Sequence, residues 1–194
     1  MSLKIRSYRK QDEKEWAKCH MLVDLEATAG QLLKEKPEYD GKTVELVATI
    51  GDRIVGFLDI EIEYLEHTLC CKKTKGNGML WDVGVLKEFR GRGIGSSLLK
   101  EGIRRGKKHG LQRLEAWTVE EEAKNFYEKF GFRRFYDYHH IRCEKREKLK
   151  EFDRDGVHVI SLYAHVMPEA DLKEVIKKYE PKQVLKCSGF EISV

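Results

Sequence analysis

The run Val83–Gly84–Val85–Leu86–Lys87–Glu88–Phe89–Arg90–Gly91–Arg92–Gly93–Ile94–Gly95–Ser96–Ser97–Leu98–Leu99 constrains the fold more than any other part of the sequence. It reads as an apolar strand, a glycine-rich turn and a helix that starts at once. The first backbone N–H groups of a helix have no partner inside it and carry the positive end of its dipole, so such a turn suits a phosphate. Gly91, Gly93 and Gly95 let the main chain approach an anion and permit positive φ. Arg90 and Arg92 add positive charge beside them.

Three kinds of phosphate-binding turn compete for this stretch. A Walker-type loop has the form G-x-x-x-x-G-K-[ST], which the turn lacks. A dinucleotide fold needs G-x-G-x-x-G early in a βαβ unit. Counted from Gly91, its third glycine position is Ser96, and the N-terminal half does not read as parallel βαβ. The third form, [Arg/Gln]-x-x-Gly-x-[Gly/Ala], is met in full by Arg90, Gly93 and Gly95. A nucleotide or NAD(P) site stays open as the weaker alternative.

Periodicity gives the surroundings. Leu3–Tyr8 alternates as a short strand, and Asp12 is placed to cap a helix. Residues 13–36 predict one broken helix or two successive ones, with Trp16, Leu22, Leu25, Ala29 and Leu32 on apolar faces. Thr43–Ile50 and Arg53–Tyr64 are strands joined by Gly51–Asp52, a Gly-X hairpin turn. Asp59, Glu61 and Glu63 alternate with Ile60, Ile62 and Tyr64, which predicts an exposed acidic face with an attraction for a cationic amine as the alternative role. Cys70–Asn77 is a loop and Met79–Val85 a central strand. Ile94–Lys108 is a helix whose Gly102 and Gly106 allow a close neighbour. Leu111–Thr118 and Phe132–Arg142 are strands on either side of a helix over Glu120–Phe130, ended by Gly131. After the charged Glu144–Arg154 come a strand (Val157–Met167), a helix (Pro168–Tyr179) and a last strand (Gln183–Val194). The expected class is α/β, a mixed α+β arrangement around one sheet, in a single domain over residues 1–194.

Composition narrows the functions. The net charge of +4 and the acids interspersed among Arg133, Arg134 and Lys145–Lys150 argue against a nucleic-acid partner. Five cysteines without a C-x-x-C spacing read as reduced thiols, and no apolar run reaches the roughly 18 residues of a membrane span. The expected location is cytoplasmic. The seven histidines show no metal-ligand spacing, so no metal is expected.

The hexad Arg90–Gly95, in its context, resembles the signature of the GNAT superfamily of N-acetyltransferases. Ile5–Tyr8 with Asp12 resembles that family's first strand and helix start, and Arg53–Phe57 its third strand. Leu114–Ala116, then Ala123 and Phe126–Phe132, resemble its fifth strand and following helix. The resemblance covers about residues 3–140 and implies a GNAT acyl-CoA N-acyltransferase fold, with 143–194 as an extra strand-helix-strand extension of the same domain. It also implies acetyl-CoA as the acyl donor, with the main chain of Val83, Gly84 and Val85 pairing with the pantetheine arm. Backbone amides from Gly91 through Ser96 (Arg92, Gly93, Ile94 and Gly95 between them), with Arg90, would hold the pyrophosphate. Glu120 stands where many members have Asn, so a contact from it to CoA is not expected.

Acetyl transfer to an amine needs a neutral nucleophile, a stabilised oxyanion and a protonated leaving thiol. A lysine amine is only about 0.04% neutral at pH 7, so a general base matters. By resemblance Tyr127 is the candidate acid, with a packed core aromatic as the alternative. Glu115 is the candidate base by the same resemblance, against a structural carboxylate paired with Arg113 or Arg134. Asp82 on the central strand is a second base candidate, because a carboxylate there is costly unless paired or facing a cleft. The acceptor is a small-molecule or peptide amine of unspecified kind. A non-catalytic acyl-CoA-binding module remains the alternative function. Gln183–Val194 is expected either to extend the sheet or to join a homodimer partner.

Overall fold

The computed structural model describes residues 2–28, 33–63, 69–71, 74–152, 162–166 and 170–194. Its strands are β1 (Leu3–Ser7), β2 (Lys42–Ile50), β3 (Arg53–Ile62), β4 (Asn77–Val85), β5 (Arg113–Thr118), β6 (Arg133–Cys143), β7 (Leu162–Val166) and β8 (Gln183–Ser193). They form one eight-stranded sheet in the order β1-β2-β3-β4-β5-β8-β6-β7. Among the described residues only the β4–β5 pair is parallel. The helices are α1 (Glu13–Asp24), α2 (Ile94–Lys107), α3 (Glu121–Phe130), α4 (Arg146–Leu149) and α5 (Leu172–Tyr179). The expected mixed sheet is therefore present.

Both faces of the sheet are covered. Successive strand residues point to opposite sides, and on β3 Phe57 meets Trp16 and His20 of α1 while Leu58 meets α2 at Gly102. A Cβ at Gly102 would lie 2.8 Å from Leu58 Cδ2 and 3.0 Å from Ile60 Cδ1, so this glycine sets how closely α2 lies on the sheet. The hairpin glycine Gly51 takes φ +61°, as its turn requires. No helix among the described residues is long and apolar enough to cross a membrane.

Two expectations about the first half need correction. The helix after β1 stops at Asp24, and the described residues 33–36 are not helical; Ala29 and Leu32 lie outside the described residues. Leu22 and Leu25 are exposed, whereas Trp16 is buried, so only one face of α1 carries apolar burial. The acidic alternation on β3 is also not a solvent face: Asp59 is 1% and Glu61 3% exposed. Alternation on a sheet covered on both sides reports which layer a residue meets, not whether it meets water.

The C-terminal extension is part of the same sheet. β8 runs antiparallel between β5 and β6, pairing Arg113–Thr118 on one side and residues 133–142 on the other. α5 begins at Leu172, capped by Asp171, whose carboxylate accepts from Lys173 N and Glu174 N. Pro168, expected in that helix, lies outside the described residues.

Candidate active site

The sheet opens at its centre. β4 and β5 pair only over Asn77–Leu80 and Arg113–Ala116, so the main chain of 82–85 bonds β3 on one side and leaves its β5 side unpaired with that strand. The gap leads into a cleft of about 1050 Å³. Its walls include Asp82, Val83, Gly84, Val85, Arg90, Gly91, Gly93, Ile94, Gly95, Ser96 and Tyr127. Of the residues expected at the site, Arg92 and Glu115 alone do not line it.

The glycine turn has the geometry an anion needs. Gly91 and Gly93 take φ of +74° and +76°, and Gly93 caps α2 without a side chain to accept from the first helical amides. A Cβ at either glycine would find no atom within 4 Å, so the surface beside the turn is open. The first α2 amides are thus free of the cap that a Ser or Asp would supply. Arg90 Nε donates to Val85 O at 3.0 Å, and its Nη1 lies 3.3 Å from Glu26 and 3.4 Å from Glu122. Arg92 instead turns back to Glu88 O (3.0 Å) and over the Phe89 ring.

A bulge in β4 places the candidate carboxylate. Asp82 lies opposite Asp59 and Leu80 opposite Ile60, so Trp81 has no residue across from it. One extra residue in a strand reverses the side to which the following residues point. Asp82 thereby shares the α1 face with Phe57 and Asp59, and its Oδ2 lies 2.9 Å from His20 Nε2.

His20, which has no motif around it, was not visible as a site residue in the sequence. It is 3% exposed, packed between a tilted Trp16 ring (4.8 Å) and a stacked Phe57 ring (5.2 Å), and its Nδ1 has no hydrogen-bond partner among the described residues. Burial works against its charged form, but the hydrogen bond and charge of Asp82, with Asp24 and Asp59, outweigh it and raise the imidazole pKa.

Tyr127 stands across the cleft on α3. Its ring packs on Phe132 and Phe190, and burial, helped by the charge of Asp82, pushes the phenol well above its ordinary pKa.

Glu115 goes elsewhere. It is fully buried, accepts from Arg113 Nη2 (2.6 Å), Trp117 Nε1 (2.8 Å) and the Cys71 amide, and does not line the cleft. The expected base is thus a carboxylate paired with Arg113 on its own strand. Glu120 is also engaged, accepting from the Thr28 amide and hydroxyl. Glu61 accepts from Trp81 Nε1 and the Gly41 amide, and Glu63 from the Leu69 and Cys70 amides and Asn77. These acids fasten loops to the sheet.

Residues 5–132 match the acetyltransferase (GNAT) family. Among solved structures, a GNAT-family acetyltransferase from Streptococcus pneumoniae is similar over 100% of both chains, at 20% identity and a TM-score of 0.63. A GNAT-family acetyltransferase from Brucella melitensis in complex with acetyl-CoA is similar over 68% of this chain and 83% of its own, at 22% identity and a TM-score of 0.54. No curated protein sequence matches the chain.

Proposed function

The chain belongs to the GNAT family of acetyltransferases, and on that premise we propose that it transfers the acetyl group of acetyl-CoA to a primary amine. One observation carries the proposal. The β4–β5 gap runs from a glycine turn with open, positive-φ positions to a cleft lined by Asp82 on one side and Tyr127 on the other. The residues fit the donor: the unpaired edge at Val83–Val85 offers main-chain groups to an amide-bearing pantetheine arm, and the α2 start offers amides to its pyrophosphate. The solved Brucella relative was obtained with acetyl-CoA.

In this scheme the amine nitrogen attacks the thioester carbonyl, and its proton passes to Asp82, directly or through one water. Collapse of the tetrahedral oxyanion breaks the C–S bond, and Tyr127 protonates the departing thiolate. His20 touches neither reactant; it positions the Asp82 carboxylate through the 2.9 Å contact. A phenol on α3 and a carboxylate on β4, both lining the cleft, divide the acid and base roles between two walls.

Thiol release measured across protein N-termini, lysine peptides, polyamines, aminoglycosides and amino acids tests this directly. Tyr127→Phe is expected to lower kcat about a hundredfold while CoA affinity stays within twofold of the parent. Tight acetyl-CoA binding without thiol release from any amine would leave a non-catalytic binding module in its place.

A further inference from the structure

Beside Asp82 lies a closed cluster whose residues have no role in the acetyl-transfer scheme above. The ammonium of Lys36 is buried among three aromatic rings, 4.9 Å from the centre of Trp16, 5.3 Å from Tyr8 and 5.6 Å from Tyr39. It pairs with Asp59 and lies 3.3 Å from Glu45 Oε1. Ring faces and carboxylates together favour a cation with N–H donors. Asp59 is 1% exposed, yet its Oδ1 has no hydrogen-bond partner among the described residues, so the walls accept more than this lysine donates.

The cage adjoins the site along three routes. Asp59 is the residue opposite Asp82 in the β3–β4 ladder. Trp16 is a wall of the cage and also lies against His20, the partner of Asp82. Tyr39 stacks on Trp81 at 6.5 Å, and Trp81 lines the cleft while remaining 50% exposed. The lysine arrives on a segment with no helix or strand over 33–41, fastened at Lys36 N to Glu13 and at Gly41 N to Glu61. Such a segment releases a side chain at lower cost than a strand or helix does.

We infer that this cage is the binding site for the ammonium group of a linear primary amine acceptor, and that the chain's own Lys36 holds it shut until the acceptor displaces it. The inference rests on the acetyl-transfer reading above and adds the substrate class: an unbranched alkyl chain ending in a primary ammonium. Direct contact with Asp59 and Glu45 requires N–H groups, so a quaternary ammonium of the same length is refused.

Lys36→Ala removes three carbons and the nitrogen, which n-propylammonium replaces. In the full-length variant, 10 mM n-propylammonium is expected to raise Tm by about 3 °C, with no effect from 1-propanol or trimethylpropylammonium. Because a ligand of the folded state raises Tm from any starting stability, a weakened Lys36→Ala protein still reports. Lys36→Met, which keeps the stem in place, is expected to show no shift. In the same Lys36→Ala protein, KM for propylamine is expected to fall at least tenfold below the wild-type value, with KM for acetyl-CoA within twofold. No propylammonium-specific shift overturns the inference. So does a shift without the fall in KM while the wild type acetylates other amines, because the pocket is then only a lysine's packing site. Absence of thiol release from every amine in both proteins is a different failure: it removes the acetyl-transfer reading and with it the acceptor role, leaving the Tm shift to decide whether the cage binds an ammonium.

Discussion

Gly93→Ala separates what the glycine turn does for the fold from what it does for a ligand. Gly93 sits at φ +76° as the cap of α2, and the methyl it would gain meets no protein atom within 4 Å. The cost to folding is therefore left-handed backbone strain alone, about 1–2 kcal/mol. At roughly 2–4 °C per kcal/mol for a domain of this size, Tm is expected to drop by about 2–8 °C. Gly131→Ala makes the matching control. It introduces a side chain at φ +109°, with Ile192 Cδ1 3.8 Å away, at the end of α3 and outside the cleft. Both variants are expected to lose similar stability. Only Gly93→Ala is expected to weaken CoA, by tenfold or more in calorimetric Kd, equivalent to about 1.4 kcal/mol. CoA affinity within twofold of wild type in a Gly93→Ala protein whose Tm has fallen as expected would show that the pyrophosphate does not use this turn.

Glu115→Gln removes the charge between Arg113 and Trp117 inside the sheet, and a broken buried pair costs about 3–5 kcal/mol. Thermal denaturation is expected to show a Tm loss of roughly 10 °C, with kcat of the folded enzyme unchanged; a hundredfold loss of kcat would restore Glu115 as the base. His20 has a pKa raised in the folded state, so its pairing stabilises fully below the unfolded value of about 6.5 and is lost as pH rises through the folded value. The Tm difference between wild type and His20→Gln is accordingly expected to be largest near pH 6 and to shrink toward pH 9; a difference that grows with pH refutes the pairing. Truncation after residue 182 deletes β8 from the middle of the sheet and bares the facing edges of β5 and β6. The shortened chain is expected to be insoluble, and a soluble, acetyl-CoA-binding product would show that the fold does not need β8.

Local geometry was legible in the sequence. A phosphate turn needs its glycines, its arginines and its helix start within a few consecutive residues, and Arg90–Ser96 shows all of them together. Tyr127 followed from the same kind of contiguous block. What escaped depends on contacts between distant segments. His20 and Asp82 are 62 positions apart, and they meet only because the Trp81 bulge turns Asp82 onto the α1 face. No periodicity announces a bulge. The Lys36–Asp59 pair joins an irregular segment to a central strand, and burial with two carboxylates is a property of the assembled layers. The strand pattern of Gln183–Val194 was visible too, but a pattern of alternation specifies a strand's faces, not its slot in a sheet.

That slot bears on how the cleft exists at all. A central strand that parts from its neighbour leaves backbone donors and acceptors unpaired, which is costly in a buried sheet. β5 parts from β4 beyond Ala116, yet Trp117 and Thr118 remain paired on the other side, with Gly189 and Ser188 of β8. β8 thus holds β5 straight while β4 diverges, and the gap opens without leaving β5 bare on both edges. The side chains reinforce the same joint. Glu115 of β5 and Glu191 of β8 lie directly opposite each other, a repulsive placement for like charges. Arg113 resolves it by donating to both, Nη2 to Glu115 at 2.6 Å and Nε to Glu191 at 2.8 Å, and Arg133 of β6 also pairs with Glu191. The glutamate that the family resemblance marks as a base is, in this chain, part of a clamp that fixes one wall of the cleft. Of the three residues proposed for proton chemistry, Asp82 and Tyr127 line the cleft and Glu115 does not.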